Sequence, residues 1–224
     1  FLNSGLTEIE IPDSVTRIGD TSFGVITPLR RIQFPANAEL VMGTAVCTEC
    51  ENLTTVDIPN GITSIEIHTF FDCRALTTIN FPNSVVSIDQ GAFYGCQSLA
   101  DVVLPKNLRK IGRDAFGRCC ELKTINIPDS VTRIGVDAFR ECTNLAIIGL
   151  PQNPELNIDP QAFIKCASLF QVHFPTLMSE QERIAIINQI NGANHPSFQH
   201  VGLNNLGQRT FLGDVPTLLL PHLF

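Results

Sequence analysis

Eight prolines recur at near-equal spacing, and that period limits the fold more than any other feature of the chain. Pro12, Pro35, Pro59, Pro82, Pro105, Pro128, Pro151 and Pro175 are separated by 23, 24, 23, 23, 23, 23 and 24 residues. Six residues before each stands a leucine: Leu6, Leu29, Leu53, Leu76, Leu99, Leu122, Leu145 and Leu169. An apolar-x-apolar pair leads directly into each proline, as in Ile9-Glu10-Ile11 and Val172-His173-Phe174. Behind it come pairs such as Val15/Ile18, Ile62/Ile65, Val85/Ile88, Leu108/Ile111 and Val131/Ile134, and then an aromatic slot. Phe23, Phe70, Phe93, Phe116, Phe139 and Phe163 fill that slot, with Val46 read as its one substitution. Self-similarity at this period marks a solenoid, in which each unit buries its apolar face only against its neighbours.

Residues 122–144, LKTINIPDSVTRIGVDAFRECTN, show the logic of one repeat. Its alternation predicts a short strand with Leu122, Ile125 and Ile127 facing inward. Proline ends the strand because it has no N–H to give to the next rung. Val131 and Ile134 then carry the chain across the coil with two more inward side chains. The spacing of three from Phe139 to Cys142 to Leu145 predicts a helical or 3₁₀ turn on the far side. Stacked at the strand spacing, about eight rungs make one sheet on the order of 38 Å long, with the phenylalanines in a continuous interior column.

Two repeats depart from this pattern. The second has Val46 in the aromatic slot and one extra residue before Cys50; the seventh, at Pro151-Gln152-Asn153-Pro154, has one extra residue before Ile158. Both read as bulges. Repetition stops after Pro175. Ser179 followed by Glu182 is a capping-box pattern, and it predicts a helix through Asn191 with Ile184, Ile186, Ile187 and Ile190 as its apolar stripe and Gly192 as its stop. A solenoid end exposes its core, so this helix is expected to cover it. The domain division is therefore 1–177 for the solenoid and 178–224 for a helical cap and tail.

The recurring pattern, with IPDSVTRIGVDAF at 127–139 and FPNSVVSIDQGAFYGC at 81–96, resembles the BspA-like, or Treponema pallidum-type, leucine-rich repeat over residues 6–175. The resemblance implies an α/β repeat solenoid, a right-handed leucine-rich repeat superhelix of about 23-residue repeats with a helical C-terminal cap. It also implies a secreted, cell-surface or host-delivered protein, adhesin-like or effector-like, and it brings no catalytic residues. The chain departs from the family pattern at Val46, at the two insertions, and at Ile26, where the first repeat would have its cysteine.

Six cysteines, Cys50, Cys73, Cys96, Cys119, Cys142 and Cys166, share one slot. A disulfide framework has no reason to keep that period, whereas a small buried hydrophobe filling a column does. Rung-to-rung disulfides remain open by distance. Cys47-Cys50 is a lone C-x-x-C and Cys119-Cys120 a vicinal pair. The histidines at 68, 173, 195, 200 and 222 have no ligand spacing to either, so no zinc site, metal or cofactor is expected. No nucleophile motif, phosphate loop or paired-carboxylate arrangement stands out, and an enzyme is not expected.

The net charge is −7 and no Lys/Arg run exceeds the Arg30-Arg31 pair. Both facts argue against nucleic acid or an anionic membrane as partner. No stretch approaches the ~20 apolar residues of a membrane span, so membrane insertion is not expected, and no leader pattern opens the chain at Phe1.

A varied surface on a repeated scaffold points to a protein partner. On each strand, the positions two and four before proline face away from the core. From these rows the candidate partner-binding residues are Glu8, Glu10, Arg31, Gln33, Asp57, Asn80, Asp101, Val103, Asn126, Ile147 and His173. They form a concave face, acidic near its N-terminal end and less polar at Val103 and Ile147, where exposed apolar groups are the better hot-spot candidates. On the far side Phe71 and Tyr94 follow the spine phenylalanines, as cover or as a second aromatic patch. The alternative function is a structural spacer presenting a separate domain that begins in the tail.

Overall fold

The computed structural model describes residues 1–174 except Phe170, together with Ser179, Gln181, Arg183 and the segments 201–203 and 209–211. Most rungs supply a three-residue strand and, across the coil, a two-residue strand. The first four rungs give β1 (Glu8–Glu10) and β2 (Arg17–Ile18), β3 (Arg31–Gln33) and β4 (Val41–Met42), β5 (Thr55–Asp57) and β6 (Ser64–Ile65), β7 (Thr78–Asn80) and β8 (Ser87–Ile88). The fifth gives only β9 (Lys110–Ile111). Then follow β10 (Thr124–Asn126) with β11 (Arg133–Ile134), β12 (Ile147–Gly149) with β13 (Asn157–Ile158), and β14 (Gln171–His173). Pairing is parallel and puts like on like: Ile125 faces Ile148, which faces Val172. The chain is a parallel β-solenoid of about seven turns.

Inside the coil the predicted columns are complete from the third rung onward. The leucines from Leu29 to Leu169 are buried, and Phe70, Phe93, Phe116, Phe139 and Phe163 stack with ring centroids 5.1–5.4 Å apart and planes within 13° of parallel. Burying one such ring contributes roughly 1.5–3 kcal/mol. Ile26 fills the cysteine slot of the first rung and is fully buried.

The far side is not helical. Thr21 and Val25, Ala45 and Glu49, His68 and Asp72, Gly91 and Gly95, Asp114 and Arg118, and Asp137 and Glu141 all have φ between 52° and 74°. A left-handed residue at every fourth position turns the chain before a helical ladder can form. Alternate N–H groups go to the next rung: His68 donates to the Gln90 carbonyl at 3.0 Å, Phe70 to Ala92 at 2.8 Å and Asp72 to Tyr94 at 2.7 Å, while Phe71 and Cys73 close single turns on the His68 and Phe70 carbonyls at 3.1 and 3.3 Å. Left-handed backbone costs about 1–2 kcal/mol per non-glycine residue, which these inter-rung bonds and the buried spine offset.

The same geometry corrects the second rung. Ala45 and Glu49 flank Cys47, whose N–H donates to the Thr69 carbonyl just as that of Phe70 donates to Ala92. Cys47, not Val46, therefore occupies the spine slot, and the extra residue lies earlier. It falls in Pro35-Ala-Asn-Ala-Glu-Leu40, the counterpart of Pro151-Gln-Asn-Pro-Glu-Leu156 in the seventh rung. The two irregular segments are one structure used twice. Ala36 and Gln152 donate N–H to Asp13 and Asp129 carboxylates at 2.8 and 2.7 Å, and Glu39 and Glu155 donate to the Asn37 and Asn153 side-chain oxygens at 2.9 and 3.0 Å. Both asparagines also donate back to the preceding rung, to the Val15 and Val131 carbonyls at 3.4 and 2.9 Å. Ser84 and Ser130 do this in regular rungs, reaching the Ile62 and Leu108 carbonyls at 2.8 and 2.6 Å.

The expected single sheet of eight rungs is divided. The first sheet runs β1-β3-β5-β7 and resumes as β10-β12-β14, because residues 101–103 join no ladder. Val102 and Leu104 stay buried there, so the rung keeps its place in the core. Asp101 is the one aspartate at the opening strand position, and Asp is a poor strand former. The second sheet, β6-β8-β9-β11-β13, passes through the same rung without a break. At its corner Gly112 and Gly135 are required: a Cβ on either would lie 2.8–2.9 Å from the backbone of the rung before it.

No helix is among the described elements, so the label α/β gives way to β, and the helical cap is not established. The segment predicted as cap, and the boundary at 177/178, fall on residues outside those described. The exceptions are Ser179, Gln181 and Arg183: Gln181 and Arg183 have helical backbone, and the Arg183 N–H donates to the Ser179 carbonyl at 3.1 Å. In the tail, β15 (Val201–Leu203) and β16 (Arg209–Phe211) pair antiparallel, and β16 lies beside β14.

Candidate functional site: two faces of the solenoid

Strand alternation sets the outward residues of the first sheet: β3, β5, β7 and β10 each read exposed, buried, exposed. All eleven candidate residues lie along this one side. Nine are exposed, while Ile147 and His173 are half-buried. Register places Glu8 beside Arg31, Glu10 beside Gln33 and Asp57 beside Asn80. The Arg31 guanidinium donates to Gln33 at 3.4 Å, and the Gln33 amide donates to Glu10 at 3.4 Å. Glu8, Glu10, Asp57 and Asp101 stand against Arg31 alone, so the face is acidic.

Its centre is apolar for a local reason. The Asn80 side-chain amide leans back and donates to Asp57 at 2.7 Å. The Asn126 amide leans the other way and lies over Gly149, where a Cβ would collide with its oxygen. Both neighbours turn away from Val103, which is 83% exposed, the highest value for any large hydrophobic residue among those described. Row position alone paired Val103 with Ile147; the leaning amides single out Val103.

The outward rows of the second sheet were not anticipated. One row reads Ser64, Ser87, Lys110, Arg133 and Asn157, preceded by Arg17 and Val41 on the separate β2-β4 pair; beside it run Thr16, Thr63, Val86, Arg109 and Thr132. These rows hold four cations and no carboxylate. Aligning the two positions inside each Val-x-x-Ile unit would have revealed them.

On the far side the faces of Phe71 and Tyr94 are taken. The rings stack on each other at 5.1 Å, His68 packs edge-on to Phe71 at 5.1 Å, and the Arg118 guanidinium lies 5.6 Å from the Tyr94 centroid. Arg118 also donates to Glu141 at 2.8 Å, and Lys165 reaches the same carboxylate at 3.0 Å. Hydrogen bonds from Lys165, then Arg118 and Arg140, hold the Glu141 carboxyl at about 2, well below the usual carboxylate range.

The slot cysteines serve the core. Each donates its thiol to the carbonyl of the spine residue one rung back: Cys50 to Phe23, Cys73 to Cys47, Cys96 to Phe70, Cys119 to Phe93, Cys142 to Phe116 and Cys166 to Phe139, at 3.0–3.3 Å. Burial pushes Cys73, Cys96, Cys119 and Cys142 well above the ordinary thiol value, and Cys166 to about 12. These five are held as thiols, the form that neither binds metal nor attacks, whereas the hydrogen bond with Cys47 shifts Cys50 downward. No group of three or more His, Cys, Asp or Glu among the described residues is placed to hold a metal ion.

A parallel β-solenoid with these columns defines a class, and sequence comparison gives the family. The model for the BspA type leucine rich repeat region matches in six copies over residues 1–119 and 65–192, so the chain belongs to that family. Solved structures share the fold. A leucine-rich repeat protein of Treponema pallidum is 23% identical with a TM-score of 0.50, covering 75% of this chain and 70% of its own. One from Bacteroides ovatus is 28% identical with a TM-score of 0.51, over 75% of this chain and 55% of its own. The pneumococcal vaccine antigen PcpA is 16% identical with a TM-score of 0.51, over 82% and 65%. The chain thus spans little more than half of the Bacteroides protein. No curated protein matches it.

Proposed function

We propose that this chain is a protein-recognition module whose first-sheet face binds a partner. Its family is one of repeat scaffolds commonly used for protein interaction. The observation that carries the reading is Val103: an apolar side chain left open at the middle of an ordered, otherwise acidic face. Exposed apolar groups at the centre of a polar-rimmed surface are where binding energy concentrates. The partner surface it fits is basic opposite Glu8, Glu10 and Asp57 and apolar opposite Val103. The setting we propose is a secreted or surface-exposed bacterial protein, adhesin-like or directed at a host; likeness in fold to a pneumococcal vaccine antigen supports it.

Selecting a displayed peptide library on the immobilised chain tests this reading. The selected peptides should be basic with an apolar residue, and should lose at least about tenfold in affinity against Val103→Asp. Peptides that bind wild type, Val103→Asp and Asp57→Lys alike would overturn it.

A further inference from the structure

Beyond the first-sheet reading, the second sheet carries a surface of opposite character. We propose that its outward face over the fourth to sixth rungs binds a short acidic protein segment that also bears an apolar residue.

The surface is built on an unbroken ladder. Arg109 donates its N–H to the Val86 carbonyl at 2.8 Å and accepts from the Thr132 N–H at 2.9 Å, so Val86, Arg109 and Thr132 stand in one row. In the next row Lys110 is registered between Ser87 and Arg133. Arg109, Lys110 and Arg133 therefore sit on two adjacent rungs, all exposed, with Val86 37% exposed at their edge.

Like charges directly opposite one another on neighbouring strands are destabilising, so Lys110 beside Arg133 is an arrangement the fold does not need. Asp89 relieves part of it, accepting from Lys110 at 2.6 Å. Arg109 and Arg133 form no ion pair among the described residues. In a chain of net charge −7, two exposed arginines without an ion pair on neighbouring rungs, with Lys110 between them in register and sequence, are a concentrated exception. Guanidinium is the side chain best shaped to take carboxylates, in bidentate geometry.

The size of the patch selects among anions. It covers about two strand spacings, roughly 10 Å. Carboxylates bound it: Asp89 beside Lys110, Asp114 on Arg113 at 3.2 Å, and Asp159 just past β13. A nucleic acid needs a continuing basic track, since its affinity grows with each phosphate neutralised; one running on from this patch meets acid. A segment with two or three carboxylates spans the cations, and an apolar residue next to them covers Val86. The acidic first sheet repels the same segment, so the two faces sort their partners by charge.

The test uses fluorescence anisotropy with a labelled peptide of about eight residues made of Glu and Leu. Its Lys-for-Glu counterpart and a single-stranded DNA of about twelve nucleotides serve as comparisons. The Glu peptide should bind saturably, weaken with added salt, lose at least about tenfold against Arg109→Glu/Arg133→Glu, and lose less against Val86→Asp. Asp57→Lys/Asp101→Lys on the other face should leave it unchanged. Circular dichroism checks folding, and Arg109→Gln/Arg133→Gln serves if the reversal misfolds. Absence of binding to wild type, equal binding to the double variant, or tighter binding of the DNA than of the Glu peptide would each overturn the proposal.

Discussion

At the fifth rung the two sheets part. Residues 101–103 leave the first sheet, while Lys110–Ile111 stay paired with the rungs on both sides. Yet Val102, Leu104 and Phe116 of that rung remain buried. The difference teaches that the stacked interior, and not any one ladder, holds the coil together. The two faces are then free to differ: one is acidic, interrupted at that rung and apolar at its centre, and the other is unbroken through that rung and basic there.

Changing what both sheets share should affect both. Phe116→Ala removes a fully buried ring from the spine and should cost about 3–5 kcal/mol, read by denaturant unfolding, with first- and second-sheet amides losing protection together. Loss confined to one sheet would break the comparison. Cys119→Ser keeps a donor to the Phe93 carbonyl but buries a hydroxyl in place of a thiol, and should cost about 1–2 kcal/mol. Asp101→Thr supplies the residue that opens β5, β7 and β10. It should gain about 0.5–1 kcal/mol and slow exchange at 101–103 while leaving that of β9 unchanged.

The smallest effect lies on neither sheet. With its folded carboxyl held at about 2, below the unfolded value of about 4.3, Glu141 stabilises the fold above about pH 4.5. That contribution is lost as pH falls toward 2. Because the network is on the surface, Glu141→Gln should cost no more than about 1 kcal/mol at pH 6 and nothing near pH 2. A pH series of unfolding curves reads the difference, which should be the same for both faces.

Much of this was legible because like stacks on like. The 23-residue period placed Leu122, Ile125, Phe139 and Cys142 in their columns and Glu10, Asp57 and Val103 on one face. Three things were not. Counting from proline cannot say where within a rung an extra residue lies, so Val46 was read in the slot of Cys47; the shared Pro-x-Asn-x-Glu-Leu wording of the irregular rungs carries that information. The far-side backbone was hidden because Val25, Ala45 and Arg118 are not residues that favour positive φ, and Gly91, Gly95 and the aspartates at 72, 114 and 137 mark it only in part. The isolation of Val103 depends on which way two asparagine amides lean, a choice set by Asp57 on one side and the bare Gly149 on the other.

Amide hydrogen exchange within the fifth rung tests the central claim most directly. Arg109 and Gly112 donate to the Val86 and Ile88 carbonyls at 2.8 and 2.7 Å, whereas the amides of Asp101 and Val103 enter no ladder. Arg109 and Gly112 should exchange slower than Asp101 and Val103 by at least about tenfold, since exchange reports local opening. Equal protection on the two sides of that rung would contradict the account.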